Sequence, residues 1–262
     1  MIPEDVAAAL RLATRVRPLL VASDFDGVLA PFESDPMAVK PTPGIIDVLR
    51  AVAEHPRVHA AVVSGRDLTT LRRLTGLHER DRVVLIGSHG AESSSDAVRR
   101  AMEAATLTPQ DGARLAAITD EVAQLVQQRH PRAAIERKSA AVVVHTRGLP
   151  EELADAAIAD ARRVGLSHRG VRVLKGKSVL ELSVSAADKG TALTAYGRDV
   201  DAQARIYLGD DVTDEDVFAR LTQPDDVTIK VGQGATAARH RVPDEAAAAE
   251  VLHRIGELVA GR

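Results

Sequence analysis

The chain has 262 residues, with 34 lysines and arginines against 37 aspartates and glutamates and a formal net charge of −3. This balance argues against a nucleic-acid partner, which would need a basic surface. The absence of cysteine excludes disulfides, zinc–thiolate sites and thiol catalysis, so any metal must be held by oxygen or imidazole ligands. The charged opening "MIPEDVAAALRLATRVRPLL" lacks a signal-peptide core, and no apolar run approaches the roughly 20 residues of a membrane span. We therefore expect a cytoplasmic protein with no membrane partner.

Aromatic residues are scarce, with three phenylalanines, two tyrosines and no tryptophan. This leaves almost nothing on which a sugar face or a nucleobase could stack. A carbohydrate ligand would have to be held through its hydroxyl groups.

Buried strands alternate with helices over most of the chain. Apolar runs that end in polar or glycine-rich turns are typical of strands covered on both faces. They are "LLVAS" (19–23), "VHAAVVSG" (58–65), "RVVLIGSHG" (82–90), "ARIYLGDD" (204–211) and "DVTIKVGQG" (226–234). Helical patterns lie between these runs, with Thr42, Asp67 and Asp214 as candidate N-caps. The alternation predicts an α/β fold with a doubly wound parallel sheet.

Residues 107–182 depart from this alternation. Their pattern is helix, two strands, helix and two short strands, which is typical of a small α+β module with antiparallel hairpins. The short turns at Lys138-Ser139 and Gly176-Lys177 suit such hairpins. We therefore predict a core of residues 1–106 and 183–262, with residues 107–182 inserted as a cap.

Polar residues gather at the carboxyl ends of the predicted strands, where ligands bind in open α/β sheets. Asp24 and Asp26 follow the first strand, and Asp210, Asp211 and Asp214 follow a later one. So many neighbouring carboxylates would repel one another unless a cation were bound, and an all-oxygen set favours Mg²⁺. The acidic run "GDDVTDED", taken alone, is also typical of a solvated helix N-terminus.

The pair of aspartates in "DFD" suits phosphoryl transfer. An aspartate beside Mg²⁺ can attack phosphorus and form an aspartyl-phosphate that water then hydrolyses. A second carboxylate two residues later can protonate the leaving alcohol and activate that water. Ser64 can hydrogen-bond the phosphoryl oxygens, and Lys189 at a helix start can supply positive charge. Alone, "SGRD" and "DKG" are more typical of ordinary capped turns.

These motifs occur together in the order of a known family. "DFDGVLAP", "VVSGR", "DKG" and "LGDDVTDEDVF" resemble the four motifs of haloacid-dehalogenase-type phosphatases. Within that superfamily the chain closely resembles the trehalose-6-phosphate phosphatases over nearly its whole length. "GDDVTDEDVF" is the most specific match, and "GSHGAE", "IERKSAAVVVHTR", "GKSVLEL" and "VGQGATAARHRV" support it.

The resemblance implies roles for the aspartates. Asp24 matches the nucleophile, and Asp26 matches the general acid/base, which also offers its backbone carbonyl to Mg²⁺. Asp210 matches a metal ligand. Asp211 and Asp214 match positions on the metal or just behind it, and the sequence leaves open which of the two touches the ion.

The resemblance also implies phosphate- and sugar-binding residues. Ser64, Gly65 and Lys189 match the phosphate-binding positions. Glu136, Lys138 and Glu181 match the cap positions that hold glucose hydroxyls. The full set of candidates for binding the substrate is Arg66, His89, Glu136, Lys138, His145, Arg147, Lys177 and Glu181. A plainer interpretation is that Glu136, Lys138 and Arg147 form exposed cross-strand pairs on a small sheet.

The resemblance implies a Mg²⁺-dependent phosphomonoesterase that hydrolyses trehalose 6-phosphate to trehalose and phosphate, the last step of trehalose biosynthesis. We expect a monomer whose partner is this small-molecule substrate. One alternative is a capped phosphatase acting on another glycosyl or sugar phosphate. Another is a phosphosugar-binding regulator without catalysis.

Overall fold

The structure is a computed structural model that describes residues 2–33, 35–103, 108–138, 140–176, 178–184 and 188–261. The chain forms two compact units. The main unit comprises Met1–Ala104 and Ala187–Arg262, and the inserted unit comprises Ala105–Ala186. Of the two boundaries expected from the sequence, the one at 106/107 lies outside the described residues.

Eleven strands and nine helices are described. The strands are β1 (Leu19–Asp24), β2 (Val58–Val63), β3 (Val83–Gly87), β4 (Glu92–Ser93), β5 (Ala134–Arg137), β6 (Ala141–His145), β7 (Arg172–Gly176), β8 (Val179–Ser183), β9 (Ala204–Gly209), β10 (Val227–Val231) and β11 (His240–Val242). The helices are α1 (Glu4–Ala13), α2 (Ile45–Glu54), α3 (Leu68–Thr75), α4 (Asp96–Glu103), α5 (Pro109–Arg129), α6 (Glu151–Ser167), α7 (Lys189–Asp199), α8 (Glu215–Phe218) and α9 (Glu245–Ala260). No helix in these described ranges is long and apolar enough to cross a membrane.

The main unit is built on a seven-stranded sheet in the order β11-β10-β9-β1-β2-β3-β4. Its strands run parallel, except that β4 is antiparallel to β3. Strand order reverses between β1 and β9, because the chain fills one half of the sheet before α7 and the other half after it. This switch point is where doubly wound sheets bind ligands, and it brings together the carboxyl ends of β1, β2 and β9. The predicted α/β fold is confirmed.

Two apolar layers cover the sheet of the main unit. Leu19 and Val21 of β1 pack in a layer with α1, α2, α3 and α9, whereas Leu20 and Ala22 pack in a layer with α4, α7 and α8. Alternate side chains of a strand point to opposite faces, so β1 must be apolar at successive positions to serve both layers. This is why the run "LLVA" shows no polar alternation before it reaches the acidic turn.

Helix starts agree only in part with the sequence. Asp67 caps α3 by accepting a hydrogen bond from the backbone N–H of Thr70, as predicted. The predicted cap at Thr42 is wrong, because α2 starts after Gly44, whose left-handed φ of +79° suits glycine. Asp214 precedes α8, but its carboxylate accepts hydrogen bonds from two backbone N–H groups on its other side.

The inserted unit is a four-stranded antiparallel sheet in the order β5-β6-β8-β7. One face packs on α5 and α6 through Val142, Val144, Leu180 and Leu182. Glu136 of β5 and Glu181 of β8 both stand opposite Val143 of β6, and directly paired residues share a face. The sheet therefore carries both glutamates on the face turned away from its helices. The predicted α+β pattern is confirmed, although Ser139 and Lys177 at the hairpin turns lie outside the described residues.

Candidate active site

Strand β1 ends at Asp24, a buried residue with 4% of its surface exposed. Its Oδ1 accepts a hydrogen bond of 2.7 Å from the backbone N–H of Phe25. The chain then turns tightly, and the N–H of Gly27 donates to the carbonyl of Ala30 over 2.8 Å. The other oxygen of Asp24, Oδ2, lies 2.9 Å from Nζ of Lys189.

Asp26, two residues later, is held by Arg66. The guanidinium donates two parallel hydrogen bonds of 2.6 Å to the two carboxylate oxygens, a geometry that fixes both side chains. Arg66 also donates to the carbonyl of Pro36 over 2.7 Å. Because Arg66 follows β2 and Asp26 follows β1, this pair joins the ends of two neighbouring strands.

Lys189 lies between two carboxylates. It is 2% exposed at the start of α7, which Asp188 caps, and its Nζ also lies 2.8 Å from Oδ1 of Asp214. Burial alone would lower the pKa of Lys189, but Asp214 and Asp24 outweigh it and raise that pKa. Burial, together with the charges of Asp214 and Asp210, raises the pKa of Asp24 well above its ordinary value despite Lys189. One ammonium group does not fully compensate these buried carboxylates.

Asp214 is fully buried and accepts four hydrogen bonds. Its Oδ1 accepts from Lys189 and, over 2.7 Å, from the hydroxyl of Tyr207. Its Oδ2 accepts from the backbone N–H groups of Asp210 and Asp211, each over 2.9 Å. Burial would raise the pKa of Asp214, but Lys189 and these hydrogen bonds lower it below its ordinary value. Asp214 thus stays ionised and fixes the loop that carries Asp210.

Three carboxylates lie close enough to share a cation. Oxygens of Asp24, Asp210 and Asp214 lie within 4.8 Å of one another. Oδ1 of Asp210 is buried and has no hydrogen-bond partner among the described residues. A buried oxygen that lacks a donor, within an all-oxygen set, fits a hard divalent cation. The acidic cluster could therefore bind a metal ion.

The hydrogen bonds separate Asp211 and Asp214 from Asp210. Both oxygens of Asp214 already accept two donors each. Asp211 turns its Oδ1 to the backbone N–H of Val212 over 2.7 Å. Among the described aspartates 210, 211 and 214, Asp210 is the one with a buried oxygen that lacks a donor, and the Oε1 of Glu215 at the start of α8 also lacks one. Asp210 therefore keeps one buried oxygen available to a cation, whereas both oxygens of Asp214 are already engaged by donors.

Strands β2 and β3 bring a second set of predicted residues to the same edge. Ser64 is buried, its hydroxyl oxygen accepts from the backbone N–H of Arg66 over 3.1 Å, and its carbonyl accepts from the N–H of His89. A Cβ on Gly65 would lie 2.5 Å from the ring of His89, so only glycine lets that ring pack here. His89 itself has a left-handed φ of 54°. These contacts bring Ser64, Gly65 and His89 together.

The predicted sugar-binding residues of the inserted unit form two pairs on the face of the sheet turned away from α5 and α6. Nε2 of His145 lies 2.9 Å from Oε2 of Glu136, and Nζ of Lys138 lies 2.8 Å from Oε2 of Glu181. Glu181 is buried, whereas Arg147 is exposed. Lys177 lies outside the described residues. Of the six candidates in this unit, the structure thus joins four in two close pairs.

Sequence reasoning missed two buried polar residues of the main site. Tyr207 of β9 donates its hydroxyl proton to Asp214. Lys230 of β10 is buried and donates from Nζ to the backbone carbonyl of Asp210. A tyrosine within "ARIYLG" and a lysine within "VTIKV" are polar groups in otherwise apolar strands, and that was the available signal.

The charge of Asp210 makes the stability of the metal-free protein depend on pH. Burial, together with Asp214, raises the pKa of Asp210 from 3.8 to about 7. Between these values the folded state binds a proton that the unfolded state has released, so the free energy of unfolding falls as pH rises from about 4 to about 7. We expect this slope, up to about 1 kcal/mol per pH unit, to be smaller in Asp210→Asn. Urea unfolding of both proteins in a chelator at several pH values measures it, and equal slopes would contradict the assignment.

An acidic cluster at the switch point of a doubly wound sheet, with a small α+β insertion, defines a protein of the haloacid-dehalogenase-like class. The model of one family, described as Trehalose-phosphatase, matches residues 22–247. The chain belongs to the trehalose-phosphatase family.

Similarity to individual proteins supports this family membership. An uncharacterized glycosyl hydrolase of Mycobacterium tuberculosis is 37% identical over 218 residues, which cover 79% of this chain and 16% of that protein. The trehalose-6-phosphate phosphatase of Escherichia coli is 30% identical over 226 residues, covering 84% of this chain and 81% of that protein. The C-terminal domain of C. albicans trehalose-6-phosphate phosphatase has the same fold, with a TM-score of 0.75 at 21% identity over 98% of this chain and 97% of that one. The chain thus spans only a small part of the first relative and most of the second.

Proposed function

We propose that this protein is a phosphomonoesterase that hydrolyses trehalose 6-phosphate to trehalose and phosphate. The observation that carries the proposal is the buried pair of Asp24 and Lys189, 2.9 Å apart, beside Asp210 at the switch point. Membership of the trehalose-phosphatase family supports the substrate. The reaction would be the last step of trehalose biosynthesis.

In the proposed reaction, Asp24 is the nucleophile. One oxygen of its carboxylate forms a bond to phosphorus while the bond from phosphorus to the C6 oxygen of the sugar breaks, which gives an aspartyl-phosphate. Asp26 donates a proton to the departing oxygen and then takes one from the water that hydrolyses this intermediate. Lys189 and Ser64 bind the phosphoryl oxygens, where the helix start at Asp188 adds backbone N–H groups.

Arg66 orients the proposed general acid/base. Its two hydrogen bonds of 2.6 Å hold the carboxylate of Asp26 in one rotamer. The bond from Arg66 to the Pro36 carbonyl fixes the arginine in turn. In the proposed reaction Asp26 exchanges at least one of these bonds to reach the leaving oxygen, which would free a donor of Arg66 to contact the substrate.

The proposed cofactor is Mg²⁺. Asp24, Asp210 and the backbone carbonyl of Asp26 would hold it, with Asp214 behind Asp210 and Asp211 at the edge of the loop. When bound, the ion supplies positive charge that offsets the charge on the transferring phosphoryl group. The all-oxygen donors and the unpartnered buried oxygen of Asp210, noted among the described residues, support a hard cation.

We further propose a division of labour between the segments of the chain. Residues 1–106 and 183–262 form the catalytic core, and residues 107–182 recognise the sugar. Charged side chains bind hydroxyl groups with strong directional preference. The candidates are Glu136, Lys138, His145, Arg147, Lys177 and Glu181, with Arg66 and His89 in the core. The cytoplasmic location and the monomeric state stay predictions from the sequence.

The test of the proposed function is a phosphate-release assay over a panel of sugar phosphates, with Mg²⁺ and with a chelator. We expect trehalose 6-phosphate to have the highest kcat/KM and the chelator to abolish turnover. A clear preference for another sugar phosphate would replace the proposed substrate. Absence of turnover on the whole panel would favour the phosphosugar-binding regulator.

The sugar contacts give a separate prediction at Glu181. Its carboxylate is buried and lies 2.8 Å from the ammonium group of Lys138. If this pair binds sugar hydroxyls, Glu181→Gln should raise KM for trehalose 6-phosphate roughly 10- to 100-fold, the range for a hydrogen bond to a charged group. Steady-state kinetics measures it, with the exposed Glu152→Gln on α6 as the control. An unchanged KM would leave Lys138 and Glu181 as a structural cross-strand pair.

A further inference from the structure

Phe32 is the exposed member of a small set of aromatic side chains. All five aromatic residues of the chain, counting Phe, Tyr and Trp, lie within the described ranges, and the other four are at most 5% exposed. Phe32 keeps 46% of its surface exposed. A single exposed apolar side chain is ordinary on a protein surface. What makes Phe32 informative is its position.

The phenyl ring lies beside the acidic cluster. A Cβ added to Gly27 would lie 2.8 Å from Cε2 of Phe32 and 2.3 Å from Oδ2 of Asp210. The edge of the ring and the carboxylate therefore lie on either side of the same point next to Gly27. The φ of Gly27, +76°, is in the left-handed region that favours glycine. An exposed apolar surface thus borders the place where the transferring phosphoryl group would bind.

The chain on either side of Phe32 is tied to the site. Before it, the turn from Gly27 to Ala30 is closed by a backbone hydrogen bond of 2.8 Å. After it, the carbonyl of Pro36 accepts the hydrogen bond from Arg66, the arginine that also holds the proposed general acid/base. These hydrogen bonds hold the chain at Ala30 and at Pro36, on either side of Phe32 and next to the proposed site.

We propose that Phe32 contributes to sugar binding by packing against the apolar C–H face of the glucose unit that carries the phosphate. This inference rests on the proposed function. A 6-phosphate is separated from its pyranose ring by one methylene group, so the ring must lie within a few bond lengths of the phosphate. A phenyl ring at that distance offers apolar area that hydroxyl-binding residues do not supply. Phe32 thus adds a stacking contact to a site that composition alone assigned entirely to polar groups.

Binding to a variant without the nucleophile tests Phe32 apart from turnover. In Asp24→Asn with Mg²⁺, adding Phe32→Ala should raise the Kd for trehalose 6-phosphate about tenfold, the size expected for one lost aromatic packing contact. The Kd for inorganic phosphate should not change, because phosphate has no C–H face. Phe32→Tyr should retain the tight binding, and Leu12→Ala, an exposed apolar residue on α1, serves as the matched control. Isothermal titration calorimetry measures these Kd values for Asp24→Asn alone and for Asp24→Asn combined with Phe32→Ala, Phe32→Tyr or Leu12→Ala.

Two outcomes would overturn the proposal. Equal Kd values for trehalose 6-phosphate with and without Phe32→Ala would show that the ring makes no contact with the sugar. A parallel loss for phosphate and for the sugar ester would show that Phe32 acts on the phosphate site itself. If Phe32→Ala does not fold, Phe32→Leu against Phe32→Tyr gives the same comparison. If the wild type hydrolyses a different sugar phosphate, the proposed substrate is wrong. The same Kd measurements with that sugar phosphate then test whether Phe32 contacts the sugar.

Discussion

Asp24→Asn is expected to lower turnover of trehalose 6-phosphate by at least about 10³-fold while the protein stays folded. Asparagine keeps the size of the side chain but cannot form the bond to phosphorus that the mechanism requires. Steady-state phosphate release, with far-UV circular dichroism to verify folding, measures the effect.

The fold should tolerate this change for a reason specific to the site. Burial and neighbouring carboxylates raise the pKa of Asp24, so its charge is not favoured where it lies. Removing that charge leaves Lys189 paired with Asp214 alone, over 2.8 Å. The exposed Asp225→Asn is the matched control for loss of one carboxylate charge from the main unit. Residual activity within tenfold of wild type would rule out Asp24 as the nucleophile.

The grouping of the site residues was predictable because parallel strands all present their carboxyl ends at one edge. Each buried run is followed directly by its polar residue, as with Asp24 after "LLVAS" and Asp210 after "ARIYLG". Once the alternation of strands and helices indicates a doubly wound sheet, these positions must converge. The inserted unit was predictable for a similar reason, since its two helices and four strands break the alternation.

Side-chain partners could not be predicted in the same way. Whether Asp214 caps α8 or binds Lys189 depends on how α7 packs against α8 and the turn at residues 212–214. That packing is decided by buried contacts across the whole unit. Gly190 illustrates this, because a Cβ there would lie 2.2 Å from the carbonyl of Asp216. No local pattern contains such a distance.

The same limit explains why Lys230 was missed and why the predicted cap at Thr42 was wrong. The ammonium group of Lys230 reaches the carbonyl of Asp210 because β10 lies beside β9, with Lys230 in register with Gly209. Which strand lies beside β9, and how its residues align with those of β9, both depend on the order of the strands in the sheet. Thr42 has the right chemistry for a cap, but Gly44 adopts the left-handed conformation that starts α2 two residues later. The type of side chain predicts which residues could form a cap or a hydrogen bond, and the backbone geometry determines which of them do.

Lys189→Met is expected to destabilise the metal-free protein by about 3–5 kcal/mol and to abolish turnover. The substitution leaves the buried carboxylates of Asp24 and Asp214 without the ammonium that lies 2.9 and 2.8 Å from them. Breaking a buried ion pair by removing one partner is costly because the other charge stays in a poorly solvated position. Urea unfolding in a chelator measures the loss, and the exposed Lys40→Met is the control.

A double-mutant cycle with Asp214→Asn identifies the source of this cost. In the Asp214→Asn background Lys189→Met should cost less, because the buried charge of Asp214, which would otherwise lose its ammonium partner, has already been removed. An equal cost in both backgrounds would mean that Lys189 stabilises the fold by packing alone. A positive coupling energy would instead show that the contact between Lys189 and Asp214 determines two properties of the site. Asp214 would keep Lys189 charged at the proposed phosphate site, and through the N–H groups of Asp210 and Asp211 it would fix the loop that carries Asp210, the proposed metal ligand.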